Sequence, residues 1–131
     1  MLRVKTKLGA SDIHGVGLFA DELIPKGTVT WQCDPEFDVA YDESVLERIP
    51  SNSLKQFLDY AYFDHAINKY ILCADDQRFI NHSKNPNIKS TPSQDVATKD
   101  IHPGEELTCD YSDYEHDWFQ RRGKKREHFK Q

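Results

Sequence analysis

Short runs of apolar and β-branched residues alternate along the chain with Gly, Pro, Asn and Asp. Runs of this length, bounded by turn-forming residues, predict β-strands. The chain is therefore predicted to be mainly β. The predicted strands cover residues 4–8, 17–20, 28–31, 70–74, 96–98 and 106–109.

Helix-like spacing of apolar residues occurs in only two segments, residues 42–49 and 53–60. Pro50 separates them, and Ser53 is placed to cap a helix that starts at Leu54. The sequence therefore predicts one or two short helices.

A spacing of Ala-x-x-x-Ile-x-x-Gly occurs twice, at residues 20–27 and 97–104, each time with a proline close to the glycine. Glycine and proline together are typical of tight turns between strands. We predict that each copy forms the turn of a β-hairpin.

A chain of 131 residues with 37 % hydrophobic content can bury one core, which predicts a single domain. No secretory signal follows the first residues, and no run approaches the roughly 18 apolar residues of a membrane span. These patterns predict a soluble, cytoplasmic protein without membrane contact. Three widely spaced cysteines, Cys33, Cys73 and Cys109, predict reduced thiols in place of disulfides or a zinc site.

Charge is distributed unevenly along the chain. Residues 121–131 carry a net charge of +5 and residues 1–120 a net charge of −10. An acidic body attracts basic peptides and repels phosphate backbones, so a basic protein is the expected partner. We expect a folded domain over residues 1–120 and a basic, solvated tail over residues 121–131, which is the one part suited to nucleic acid.

Three segments could carry chemistry. Residues 11–20 contain Gly15-x-Gly17, which allows a close backbone approach to a ligand but is also common in tight turns. Residues 78–87 read Arg-Phe-Ile-Asn-His-Ser-Lys-Asn-Pro-Asn, a polar loop that composition alone would leave as structural. Residues 96–111 read as strand, turn and strand and end at Tyr111, which in isolation is a packing residue.

In this order, the three segments resemble the signatures of the SET-domain lysine methyltransferases. The likeness runs from residue 3 to residue 118, and the middle motif departs from the family only at Lys84, where cysteine is usual. The resemblance implies a β-clip of several small sheets with a C-terminal pseudoknot, in which residues 106–111 thread beneath the loop of Asn81 and His82. It also implies S-adenosylmethionine as cofactor, held by His14, Gly15, Val16, Gly17, Leu18, Asn81 and His82, with Trp118, or else Phe119, covering adenine.

Tyr111 matches the family's catalytic tyrosine, which would orient the sulfonium and the target lysine. Further aromatic residues, Tyr60, Tyr62 and Tyr114, are the candidates for a lysine channel because ring faces attract cations. Cys109 stands where the family carries Tyr or Phe, at a position that tunes the number of methyl groups. The smaller cysteine predicts that di- or trimethylation is allowed.

The cysteines of the zinc clusters that flank many SET domains are absent from this sequence, and its six histidines lack metal-ligand spacing, so no metal is predicted. Such a bare core is typical of viral and bacterial members, for which a host nucleus is a second location. The expected substrate is a lysine of a basic protein, with histones or histone-like proteins as candidates. The alternative is a catalytically silent module that binds a lysine-containing partner. A homodimer is left open.

Overall fold

The computed structural model describes residues 1–123 and is built mainly from short strands. The strands are β1 (Thr6–Ala10), β2 (Val16–Ala20), β3 (Val29–Gln32), β4 (Val39–Asp42), β5 (Tyr62–Asp64), β6 (Lys69–Leu72), β7 (Asn81–His82), β8 (Ile88–Ser90), β9 (Gln94–Ala97) and β10 (Thr108–Cys109). The α-helices are α1 (Ser51–Tyr60) and α2 (Trp118–Arg121), and 3₁₀ turns cover Glu43–Glu47, Asp76–Phe79 and Tyr111–Asp113.

The strands of residues 1–123 form four small, separate sheets of two or three strands each. β1 pairs with β2, β9 lies between β3 and β8, and β6 lies between β4 and β5, all antiparallel. β7 and β10 form a separate parallel pair. This arrangement confirms the prediction of a mainly β chain with several small sheets and few helices.

Each predicted strand overlaps an observed one, but four further strands were missed. β4 is exposed along most of its length, so it lacks the alternation that marks a half-buried strand. β5 and β8 have three residues each, and β7 has two, within segments that read as a helix end or as polar loops. Strands this short carry too few residues for a periodic signal.

The helix predictions were partly correct. Residues 42–49 contain a 3₁₀ turn and no α-helix. α1 begins at Ser51, directly after Pro50, so Ser53 does not cap it. The Ser53 and Leu54 N–H groups both donate to the Pro50 carbonyl, at 2.9 and 3.0 Å, which places Ser53 inside the first turn. None of the helices in residues 1–123 is long and apolar enough to cross a membrane.

The repeated segments 20–27 and 97–104 pair with each other, so the prediction of two separate hairpins was wrong. Ile24 and Ile101 exchange both main-chain hydrogen bonds at 2.8 Å. The Gly27 N–H donates to the Ala97 carbonyl, and the equivalent bond of the second copy has the same 2.8 Å length. Gly27 has a φ of 90°, which is left-handed and favours glycine. The repeat therefore forms a two-fold clip around the buried isoleucines.

The C-terminal arginines Arg121 and Arg122 belong to the folded body, which corrects the predicted start of the solvated tail. The Arg122 side chain is only 2 % exposed and pairs with Glu115, which is fully buried, at 2.8 Å. Arg122 also donates to the carbonyls of Leu58 and Ala61 and lies 4.3 Å over the Trp118 ring. Residues 124–131 of the predicted tail lie outside the described residues.

Candidate active site

The parallel pair of β7 and β10 joins two distant motifs. Asn81 lies opposite Thr108 and His82 lies opposite Cys109 in this pair. The Asn87 side chain extends the contact, because its Nδ2 donates to the Glu106 carbonyl and its Oδ1 accepts from the Thr108 N–H, both at 2.9 Å. Residues 106–111 thus thread against the loop of residues 81–87, as the expected pseudoknot requires.

Asn81 connects the pseudoknot to the N-terminal glycine motif. Its Nδ2 donates to the His14 carbonyl at 3.0 Å and to Glu106 Oε2 at 2.9 Å, and Asn81 is 4 % exposed. Ser11 Oγ donates to the same carboxylate at 2.7 Å. A Cβ at Gly17 would stand 2.4 Å from Glu106 Oε2, closer than atoms can pack. Gly17 is therefore needed for the close approach of this strand to Glu106. The sequence analysis did not select Glu106 as a site residue, because acidic residues are frequent in the chain.

One cavity, named here the polar cavity, opens to solvent beside this cluster and spans about 460 Å³, part of which is open solvent. Gly15, with a left-handed φ of 47°, bends the chain at its edge. Its wall contains five of the predicted cofactor residues, namely His14, Gly15, Val16, Asn81 and Trp118.

The remaining predicted cofactor residues lie behind this wall. Leu18 is fully buried in the core, and Gly17 packs on Glu106. His82 is also fully buried, and its Nδ1 accepts the Tyr111 N–H at 3.2 Å. His82 therefore positions Tyr111. Phe119 packs on the His82 ring, with centroids 5.0 Å apart, and is not part of the wall.

A second cavity, named the aromatic cavity, also has Tyr111 in its wall and spans about 440 Å³, part of which is open solvent. Two predicted channel residues, Tyr62 and Tyr114, meet edge to face in its wall, with centroids 5.2 Å apart. Burial raises the pKa of both phenols, so both stay neutral at physiological pH. The Tyr62 hydroxyl donates to the Pro92 carbonyl at 2.8 Å. Rings held in this way offer neutral, electron-rich surfaces to a cation.

The two cavities share a wall. The shared residues are Asp59, Tyr60, Arg78, Ile80 and Tyr111. Tyr111 is 6 % exposed, and its hydroxyl donates to the Ile80 carbonyl at 2.8 Å. Burial raises the pKa of Tyr111 well above its usual value, so the phenol remains a neutral donor and cannot serve as a base. The third predicted channel tyrosine, Tyr60, lies in the same wall.

Cys109 is fully buried and does not line the aromatic cavity. Burial raises the pKa of its thiol, which keeps it protonated. The residue nonetheless lies close to Asp95, a buried acid that lines the cavity and raises the Cys109 pKa further. Sequence reasoning missed Asp95, because one acid within a short strand carries no signal of its own.

No metal was predicted, and the described residues contain one group of potential metal ligands. His65, His116 and Asp117 place one ligand atom each within 4.8 Å of one another. His65 Nε2 and Asp117 Oδ1 are 2.8 Å apart, so these two side chains already form a hydrogen bond. None of the three residues lines the polar or the aromatic cavity.

Comparison with known proteins places the site in a family. The SET-domain profile matches residues 15–112. A structure of an active polycomb repressive complex 2 in its basal state has 27 % identity and a TM-score of 0.61, over 84 % of this chain and 15 % of that one. A proposed histone methyltransferase of Plasmodium falciparum has 25 % identity and a TM-score of 0.59, over 84 % and 95 % of the two chains.

The fold is also that of the Chaetomium thermophilum polycomb repressive complex 2, autoinhibited and bound to S-adenosylmethionine, with 24 % identity and a TM-score of 0.65. That match covers 90 % of this chain and 16 % of the other, so the chain spans a small part of the polycomb proteins. No curated protein matches the sequence. The chain belongs to the SET-domain family, whose lysine methyltransferases use S-adenosylmethionine as cofactor.

Proposed function

We propose that this protein transfers a methyl group from S-adenosylmethionine to the side-chain nitrogen of a lysine in a basic protein, with histones as the first candidates. The observation that carries the proposal is the position of Tyr111 in the wall common to two cavities. One cavity is lined by polar main chain and Asn81, and the other by tyrosine rings. A donor and an acceptor bound in the two cavities would meet at the Tyr111 phenol.

The polar cavity suits the cofactor. Its edge is main chain bent at Gly15, and Asn81 fixes that edge through the His14 and Val16 carbonyls at 3.0 and 3.4 Å. Trp118 lies in the same wall but is only 1 % exposed, with Arg122 over its ring, so it contributes little surface to a flat ring system. S-adenosylmethionine supplies a methyl group bonded to a positively charged sulfur. The residues of this chain bind and orient that group.

The aromatic cavity suits a lysine side chain. The Tyr62 and Tyr114 rings attract the ammonium as it enters, through cation–π interactions. Burial next to a positive sulfur disfavours the ammonium form and lowers the lysine pKa from its usual value of about 10.4. Alignment of two bound reactants can lower a barrier by roughly 7–11 kcal/mol, so positioning at Tyr111 can supply much of the rate.

The charge of the protein supports a basic substrate. Residues 1–120 carry a net charge of −10, so the surface around the cavities attracts lysine-rich segments. The Plasmodium falciparum relative is described as a proposed histone methyltransferase, which makes core histones the natural first substrates to test.

The test is incubation with methyl-labelled S-adenosylmethionine and a panel of core histones and other basic proteins, followed by mapping of the modified residues by mass spectrometry. We expect label on lysine. Calorimetry in parallel measures cofactor binding. It distinguishes an enzyme whose substrate is missing from the panel from a protein that does not bind the cofactor. Binding without transfer to any panel protein would contradict the proposed substrate class, and no detectable binding would leave the silent binding module as the function.

A further inference from the structure

Asp95 is an acidic residue on the buried face of β9, where an apolar side chain is normally found. β9 alternates between half-buried and buried residues, and Asp95 shares the buried face with Ala97. Asp95 is only 3 % exposed. In the sheet it lies opposite Trp31 on β3 and Ser90 on β8. These three side chains form a row across the wall of the aromatic cavity.

The carboxylate lacks a cationic partner in the described part of the chain. Gln77 Nε2 donates to Asp95 Oδ2 at 2.6 Å, and no lysine or arginine within residues 1–123 forms an ion pair with it. Burial raises its pKa to about 6, so the group is still mainly ionised at pH 7. A buried charge without a counter-ion is costly, and a cation that enters the cavity would relieve that cost.

Other polar atoms beside Asp95 also lack partners. Gln77 Oε1 and Trp31 Nε1 are buried and make no hydrogen bond to any residue of 1–123. Both residues line the aromatic cavity with Asp95. Buried polar groups are nearly always paired, so this row is suited to a polar ligand. Gln77 Oε1 and the carboxylate are acceptors, which match an ammonium group that has three N–H donors.

We propose that Asp95 is a specificity-determining residue that selects a positively charged side chain for the aromatic cavity. The inference rests on the proposed function and deepens it. Tyrosine rings alone attract cations only weakly, whereas a buried carboxylate distinguishes an ammonium from a neutral group of equal size. Because Asp95 favours the charged amine, it contributes to capture of the lysine and not to the methyl-transfer step, which needs the neutral amine.

The first test uses small probes and does not depend on turnover. n-Butylammonium copies the end of a lysine side chain, and 1-butanol is its neutral counterpart. Titration of the S-adenosylhomocysteine-saturated protein, followed by NMR shifts of residues lining the aromatic cavity, gives both affinities. We expect the ammonium to bind more tightly than the alcohol at pH 7.5. Equal affinities, or no ammonium binding at the cavity, would overturn the proposal.

Asp95→Asn removes the charge and keeps an oxygen to accept from Gln77. The variant is expected to bind n-butylammonium about 10- to 100-fold more weakly, as for loss of a hydrogen bond to a charged group, with butanol unaffected. Asp42→Asn is the matched control, because Asp42 pairs with Lys69 and lies outside the cavity wall. An unchanged preference for the ammonium in Asp95→Asn would contradict the inference.

In the unmodified protein, the preference for n-butylammonium over 1-butanol should also depend on pH. Asp95 becomes protonated as the pH falls from 7.5 to 5, so the preference for the ammonium should decrease and should follow a midpoint near pH 6. Raised pKa values keep the neighbouring thiols and phenols neutral over this range. The charged neighbours are Asp113, paired with Lys89, and Asp59 and Arg78 in the shared wall. A preference independent of pH would count against Asp95 as the acceptor.

Kinetics separate this inference from the proposed function. On a lysine peptide that the enzyme methylates, Asp95→Asn should raise KM without lowering kcat, whereas damage to the structure of the site would lower kcat as well. S-adenosylmethionine affinity should be the same in the variant, because Asp95 does not line the polar cavity. A lower kcat with unchanged KM would refute the capture role, even if methyl transfer itself is demonstrated.

Discussion

Asp95→Asn is expected to stabilise the protein at neutral pH. In the folded protein, burial raises the pKa of Asp95 from 3.8 to about 6. Folding therefore favours the protonated acid, and ionisation destabilises the folded state as the pH rises from about 4 to about 6. A shift of about two pKa units corresponds to about 3 kcal/mol at pH 7 and above. Asparagine has the same size and never ionises, so this destabilisation is absent from the variant.

The assay is urea denaturation of both proteins between pH 4 and pH 8. The unfolding free energy of the variant should be larger than that of the unmodified protein. The difference should grow between pH 4 and pH 6 and stay constant above pH 6. Asp42→Asn, which removes an ion-paired acid, should show no such gain. A difference independent of pH, or a variant less stable at pH 7.5, would refute the reasoning. Removal of the Asp95 carboxylate should therefore stabilise the protein and weaken ligand capture. Such a trade-off between stability and binding is typical of a functional site.

Three further substitutions test other contacts. Gly17→Ala should destabilise the fold by about 1–3 kcal/mol and weaken S-adenosylmethionine binding in calorimetry, because its Cβ would stand 2.4 Å from the Glu106 carboxylate; unchanged binding would contradict the role of this contact. Arg122→Ala should lower the unfolding free energy by about 2–3 kcal/mol, since the buried Glu115 loses its nearest cation and keeps only Arg121 at 3.6 Å and the Phe63 N–H, and a loss below 1 kcal/mol in urea would argue against it. Cys109→Tyr adds a ring beside Asp95 in the cavity wall and should limit products to monomethyl-lysine in mass spectrometry, whereas monomethyl product alone from the unmodified enzyme would exclude the di- or trimethylation expected here.

The sequence predicted the fold class and the pseudoknot that brings the two C-terminal motifs together, because long, specific motifs carry that information. Tyr111 lies about 30 positions after the adjacent Asn81 and His82, and the two motifs meet in the pseudoknot. Turns do occur at Gly27 and Gly104, but neither closes the predicted β-hairpin, because the two segments pair with each other. A turn motif specifies local φ angles and contains no information about which strand lies opposite.

Partners brought together by tertiary structure were the main omission. Glu106 contacts Ser11 across 95 positions, and Asp95 meets Gln77 only because β9 lies beside the 3₁₀ turn. Both are single acids in a chain with 22 acidic residues, so composition could not distinguish them. Arg122 was expected to be solvated because it belongs to the basic run of residues 121–131, yet a buried carboxylate and two carbonyls hold it inside the fold.

The most direct test of the central claim compares methyl transfer by the unmodified protein and by Tyr111→Phe. The Tyr111 phenol lies in the wall that both cavities share, and phenylalanine preserves the ring while removing the hydroxyl. The measurement is the rate of labelled methyl transfer to core histones at saturating S-adenosylmethionine, with cofactor affinity measured for both proteins by calorimetry. We predict that the variant binds the cofactor normally and that transfer falls at least about 100-fold, as for the loss of one aligned hydrogen-bond donor. Transfer by Tyr111→Phe at the rate of the unmodified protein would contradict the account.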